Sequence, residues 1–145
     1  MQYLILPLIA LVIAQVAKFF IKSNHEKFSV KNFTSYAGMP SAHAALVTSL
    51  VTIIGLKDGI FSPLFAVSLV FAVIVIRDAV GIRRYLGEHG RVLNELVDDL
   101  KEEPDKPLNQ SYPHLLEKIG HTPAQATVGA LIGIAVSLIG FWLMK

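Results

Sequence analysis

The sequence contains no cysteine, which excludes disulfide bonds and thiolate catalysis. Charged residues make up only 17% of the chain, and the formal net charge at pH 7 is +2. This small excess of positive charge, without a basic patch interleaved with aromatic residues, argues against a nucleic-acid partner. Low-complexity tracts and internal repeats are also missing, apart from two similar helix starts that each combine histidine and proline.

What the chain has instead is apolar sequence. Hydrophobic residues make up 53% of its 145 residues, and the mean hydropathy is +0.55. They are concentrated in four segments, whereas the middle third carries most of the charge. This contrast predicts one all-α domain over 1–145, a polytopic membrane helical bundle with four transmembrane helices. The expected spans are about 3–21, 40–56, 62–80 and 124–144.

The segment 81–120 is polar but periodic. Its apolar residues fall on one face of a helix and are Leu86, Leu93, Leu96, Val97 and Leu100. Because the segment is too polar to span a bilayer, we expect an amphipathic helix on the membrane surface or beyond it. Its apolar stripe has either the bundle or a second copy of the chain as partner, so we include homo-oligomers among the candidate partners. The stretch 112–119 is a candidate short helix.

Two of the expected spans carry small residues at every fourth position. These are Ser41, Ala45 and Ser49 in the second span, and Gly129, Gly133 and Ser137 in the last. Such faces let transmembrane helices approach closely.

Four spans place both termini on one side of the membrane. Of the 13 Lys and Arg residues, only Lys57 and Lys145 fall on that side. The positive-inside rule therefore predicts a multi-pass protein of the cell membrane with non-cytoplasmic termini and the loop-rich face in the cytoplasm. Both histidine-bearing helix starts lie on this loop-rich face.

Ionisable and polar residues gather at that face. His43 follows Pro40 and Ser41 at the start of one span, and His121 precedes the start of another. A helix start offers free N–H groups and partial positive charge, which suit a phosphate. Lys18, at the end of the first span, either reaches out to the lipid headgroups or points inward to bind an anion. Arg77 and Asp78 end the third span early, either as functional groups or as an interfacial salt bridge.

This set of residues suits phosphoryl transfer to an imidazole. One histidine can attack phosphorus while the other protonates the leaving oxygen. Arginine side chains and backbone N–H groups can hold the phosphate oxygens as charge develops on them. Asp78 alone is a poor magnesium site, so we expect a metal-independent mechanism and no cofactor.

Two motifs resemble those of the type-2 phosphatidic acid phosphatase superfamily, which also contains vanadium haloperoxidases. Pro40-Ser41-Ala42-His43 resembles its P-S-G-H motif, and Gly120-His121-Thr122-Pro123-Ala124-Gln125 is similar to its third motif. With Gly81-Ile82-Arg83-Arg84 and Leu93-Asn94, the whole chain is similar to the small divergent branch of that superfamily.

The resemblance implies that His121 is the nucleophile, His43 the general acid and Ser41 a phosphate ligand. The first motif has no match, and Lys18 or Lys22 is our candidate to replace its lysine. Leu115 occupies the position of the third-motif arginine, so Arg83 or Arg84 would supply that charge, with Arg77 as a further phosphate ligand.

Two supporting residues complete the candidate site. Gln125 replaces the acidic partner of the nucleophile; it can orient His121 but cannot stabilise an imidazolium by charge. Asp78, which directly follows Arg77, is the second supporting residue. A second alignment places the nucleophile at His89, six residues after Arg83, but no glycine-ridged span follows it, so we prefer His121.

These features predict a membrane phosphatase that acts on a lipid phosphate or an isoprenoid pyrophosphate through a phosphohistidine. The alternative is a degenerate, non-catalytic family member that binds lipid phosphate or a protein partner. A vanadate-dependent haloperoxidase is disfavoured, because such sites need a full set of arginines and lysine.

Overall fold

The computed structural model describes residues 1–21, 38–101, 112–117 and 119–144. All regular structure in these ranges is helical, which confirms the expected all-α class. The helices are α1 (Gln2–Phe20), α2 (Ala42–Asp58), α3 (Pro63–Arg77), α4 (Arg83–Lys101) and α5 (Pro123–Leu143), with a π-helical turn (Asp78–Ile82) between α3 and α4.

Three helical stretches are long and apolar enough to cross a membrane, namely Gln2–Phe20, Pro63–Lys101 and Pro123–Leu143. They support a helical membrane protein. The expectation of four such stretches is not met, because α2 has only 17 residues, a rise of roughly 26 Å. Ser41 caps its start, and Gly59, with φ of +85°, ends it.

A surface helix separate from the third span is wrong as a prediction. Asp78 keeps helical backbone angles, so α3 passes through the π-helical turn into α4 as one stretch of 39 residues. No proline interrupts the chain there. The short helix expected at 112–119 is also absent from residues 112–117, where Leu115 bonds through both its N–H and its C=O to the side chain of Asn94.

α2 lies at the centre of the bundle, in contact with α1, α3 and α5. The two predicted small-residue ridges face each other across α2 and α5. A Cβ atom on Gly133 would overlap the backbone of α2, and one on Gly129 would overlap the backbone of the N-cap residue of α2. Further along the two helices, a pair of serine hydroxyl groups lies 2.7 Å apart. The facing pairs are Gly129 with Ser41, Gly133 with Ala45, and Ser137 with Ser49. Both small-residue faces therefore lie at a close helix–helix contact, and the structure shows that the two faces are each other's partners.

The same packing joins the starts of α2 and α5. The backbone N–H of Ser41 donates to the carbonyl oxygen of Gln125 at 3.0 Å. The outer surface of the bundle, in contrast, carries large apolar side chains; Val67 and Leu131, for example, are 67% and 60% exposed. The fold therefore brings the two sequence motifs together at one end of a bundle whose outer surface is apolar.

Candidate functional site

His121 is held inside the bundle just before α5. Only 3% of its surface is exposed, and its backbone N–H donates to the carbonyl oxygen of Ala79 in the π-helical turn at 2.9 Å. Gly120 permits this contact, because its φ of +87° and its close approach to Ala79 leave no room for a side chain. Among the described residues, the Nδ1 atom of His121 has no hydrogen-bond partner.

The surroundings of His121 favour its neutral form. Burial lowers the pKa of the ring from its ordinary value of 6.5 to about 4, and the positive charge of Lys18 adds to this effect. His43 acts in the same direction, whereas Gln125 and the Gly38 backbone oppose it. At neutral pH the imidazole therefore keeps a free lone pair, which a nucleophile requires.

Lys18 is buried inside the bundle. It is in the last turn of α1, its exposed fraction is 5%, and it interacts electrostatically with both His121 and His43. Of the two orientations open from the sequence, the structure has the inward one. Lys18 is therefore a buried cation within electrostatic range of the candidate nucleophile. Lys22, the other candidate for the first-motif lysine, lies outside the residues that the structure describes.

His43 lies within electrostatic range of His121 and of a neighbouring ion pair. It lies exposed in the first turn of α2 and interacts electrostatically with Lys18, Arg83 and Asp78. Arg83 Nε lies 2.6 Å from Asp78 Oδ2, across the π-helical turn. π-Helical turns are rare and are frequently found at functional sites. The ion pair across this turn therefore holds Arg83 within electrostatic range of His43.

Ser41 and Gln125 both cap helices, and the Gln125 side chain also hydrogen-bonds to the ring of His121. The Ser41 hydroxyl is fully buried and accepts a hydrogen bond from the N–H of Ala44 at 3.3 Å. Gln125 forms a capping box with Thr122, in which Gln125 Oε1 accepts the Thr122 N–H at 2.9 Å. The side-chain oxygen of Gln125 is therefore engaged by backbone, and the phosphate-binding role of Ser41 stays a prediction.

Three further candidates lie on the surface. Arg84 pairs with Glu88 at 3.4 Å on α4, and both side chains are about half exposed. Arg77 lines an apolar groove between α3 and α5, which has a volume of about 520 Å³ and is also lined by Pro123. His89, the nucleophile of the second alignment, is exposed on α4. His121 is thus buried and His89 exposed, and the choice of His121 as the nucleophile stays a prediction.

The described ranges contain no group of three or more His, Cys, Asp or Glu side chains arranged to hold a metal ion. No motif in the sequence assigns a role to Asn94, although this residue is only 7% exposed and its side chain hydrogen-bonds to Leu115 and Glu117, a few residues before His121. One available signal was that Asn94 shares a helix face with two glycines, Gly87 and Gly90.

Comparison with known proteins adds a family and a relative. Residues 1–136 match the family model described as "Divergent PAP2 family". The chain is 40% identical over 146 residues to a protein of Bacillus subtilis (strain 168) described as "Uncharacterized membrane protein YuiD", and the match covers 94% of this chain and 91% of that protein. No solved structure matches the chain.

These findings confirm the resemblance noted from the motifs. The relative's description as a membrane protein also agrees with the three apolar helical stretches and supports a membrane location. The chain belongs to the Divergent PAP2 family.

Proposed function

We propose that this protein is a membrane phosphatase that hydrolyses a lipid phosphate or an isoprenoid pyrophosphate. The observation that carries the proposal is the buried, neutral ring of His121 within electrostatic range of Lys18 and His43. An ammonium group attracts phosphate oxygens, and a neutral imidazole can attack phosphorus. Family membership supports a relationship to phosphatases.

The proposed reaction has two steps, and each needs one proton transfer. First, a ring nitrogen of His121 bonds to phosphorus, the bond from phosphorus to the lipid oxygen breaks, and His43 gives that oxygen a proton. Next, water attacks the phosphohistidine, His43 takes a proton from the water, and the P–N bond breaks. Inorganic phosphate leaves and His121 is restored, so the side chains alone complete the cycle without a metal ion.

Lys18 and Arg83 are the cations that we assign to the phosphate oxygens. Both interact with His43, and Lys18 also interacts with His121. Asp78 keeps Arg83 oriented through their 2.6 Å ion pair. Phosphate contacts from Ser41, and from the exposed arginines Arg77 and Arg84, stay predictions.

For the membrane topology, we propose that α2 is a fourth crossing. Although α2 is short, it lies at the centre of the bundle between α1, α3 and α5. The site-bearing end would then face the cytoplasm, with both termini on the other side and α4 continuing from α3 beyond the membrane. The lipid tail would stay in the bilayer while its phosphate enters between the starts of α2 and α5.

One observation favours a second candidate function, the binding of lipid phosphate or a protein partner without hydrolysis. In this structure the Gln125 side-chain oxygen belongs to the capping box, and no carboxylate hydrogen-bonds to the ring of His121 among the described residues. A phosphohistidine route gains from such a partner, because the partner stabilises the ring as positive charge develops. A binder would not need one.

The deciding experiment measures phosphate release from a panel of lipid phosphates and isoprenoid pyrophosphates by purified protein in detergent. We expect His121→Ala to abolish release and His43→Ala to reduce it by about 10²–10⁴-fold. His89→Ala is the matched control, since this exposed histidine should leave the rate unchanged. Alkaline quenching followed by ³¹P NMR should detect a phosphohistidine in the wild type.

Two outcomes contradict hydrolysis through His121. Full activity in both His121→Ala and His43→Ala would exclude the proposed mechanism. Binding of lipid phosphates without any release would establish the non-catalytic alternative.

A further inference from the structure

Asn94 ties an irregular segment of the chain to α4. Its Oδ1 accepts the N–H of Leu115 at 2.9 Å, and its Nδ2 donates to the carbonyl oxygen of Leu115 at 3.0 Å. The same Nδ2 donates to Glu117 Oε1 at 2.8 Å and lies 3.2 Å from His114 Nδ1. The side-chain amide thus satisfies both backbone polar groups of a residue that is in neither helix nor sheet.

Two glycines let this segment lie directly against the helix. Gly87, Gly90 and Asn94 share one face of α4, and all three are buried. A Cβ atom on Gly87 would overlap the carbonyl oxygen of Glu117, and a Cβ atom on Gly90 would lie 2.8 Å from the carbonyl oxygen of Leu116. Only glycine allows the two backbones to come this close.

The segment leads directly to the candidate nucleophile. His121 follows Glu117 by four residues, and its own N–H bonds to Ala79 at 2.9 Å. A Cβ atom on Gly120 would lie 2.6 Å from the backbone nitrogen of Arg84, at the start of α4. The chain that carries His121 is therefore attached twice to the helical stretch from α3 to α4, once near Ala79 and once at Asn94.

We propose that Asn94 is a positioning residue, which holds the 112–117 segment on α4 and thereby keeps His121 at its place inside the bundle. The effect of Asn94 on catalysis rests on the proposed function. Its effect on the position of the His121 ring does not, and can be measured without an activity assay. Asn94 does not touch the reacting atoms, and it acts through the backbone of the segment.

The first test measures how fast diethyl pyrocarbonate modifies His121, with peptide mapping by mass spectrometry of the full-length protein in detergent. The wild-type ring should be protected because it is 3% exposed. Asn94→Ala and Asn94→Asp should both raise its modification rate at least tenfold, because both lose the two donated hydrogen bonds. Glu95→Ala, on the exposed side of α4, is the matched control and should leave His121 protected.

A second variant separates positioning from general loss of folding. Gly90→Ala keeps Asn94 but forces the Leu116 carbonyl away from α4, so it should also expose His121. The inference is overturned if either Asn94→Asp or Gly90→Ala melts at the wild-type temperature and leaves His121 protected. It is likewise overturned if Glu95→Ala exposes the ring as much as Asn94→Asp does.

Catalysis gives an independent readout. If the wild type releases phosphate, Asn94→Asp should lower kcat by about 100-fold with KM nearly unchanged, as a 1 Å displacement of a reacting group can do. An unchanged kcat would contradict the inference. If the wild type releases no phosphate, the proposed function fails, while protection of His121 still decides the role of Asn94.

Discussion

The stability of this protein should depend on pH through His121. The pKa of its ring is about 4 in the folded protein, against an ordinary value of 6.5 in the unfolded chain. Below pH 6.5 the unfolded chain therefore takes up a proton that the folded form does not accept, so the free energy of unfolding falls as the pH falls. One pKa unit corresponds to about 1.4 kcal/mol, and the loss reaches about 3 kcal/mol at pH 4.

The assay compares wild type with His121→Asn, which cannot titrate. Calorimetric unfolding in a non-ionic detergent at several values between pH 7 and pH 4 gives the stability of each protein. Subtracting the two curves cancels the carboxylates and the other histidines, which both proteins share. We expect wild type to lose about 3 kcal/mol more than the variant over this range.

Two results would refute the reasoning. Parallel curves would mean that the pKa of His121 is the same in the folded and unfolded states, so the ring would not be desolvated. A wild type that gains stability relative to His121→Asn on acidification would mean that a carboxylate pairs with the ring. An NMR titration of the ring nitrogens of His121 would separate these cases directly.

Three further predictions concern the packing and charges around the site. Gly133→Ala should cost about 1–3 kcal/mol of stability, because its methyl group would overlap the Ala45 carbonyl, while Gly81→Ala, with open space around it, should cost nothing in the same thermal unfolding assay. Lys18→Met should weaken the binding of inorganic phosphate at least tenfold by isothermal titration calorimetry, about 1.4 kcal/mol, and an unchanged affinity would remove Lys18 from the site. Thr122→Ala should lower the free energy of unfolding by about 1 kcal/mol, through loss of the cap on α5, and equal melting curves would contradict that role.

The candidate site was predictable in its parts, because its residues follow local rules. His43 and His121 each stand at a helix start that proline and a hydroxyl residue mark in the sequence. A close helix contact at each small-residue face was also predictable, since glycine and serine at every fourth position favour it, but which helices would meet was not. The orientation of Lys18 was not, because snorkelling and inward binding need the same residue at the same helix end.

The sequence by itself determined that this is a helical membrane protein of the Divergent PAP2 family, because apolar length and short motifs are local properties. Only the tertiary structure decided that Lys18 is buried within electrostatic range of His121, that Arg83 pairs with Asp78, and that α3 continues into α4. It also gave Asn94 its role, since the partners of this side chain lie more than twenty residues away along the chain. Contacts at such separations depend on how whole helices meet, and no local pattern encodes that.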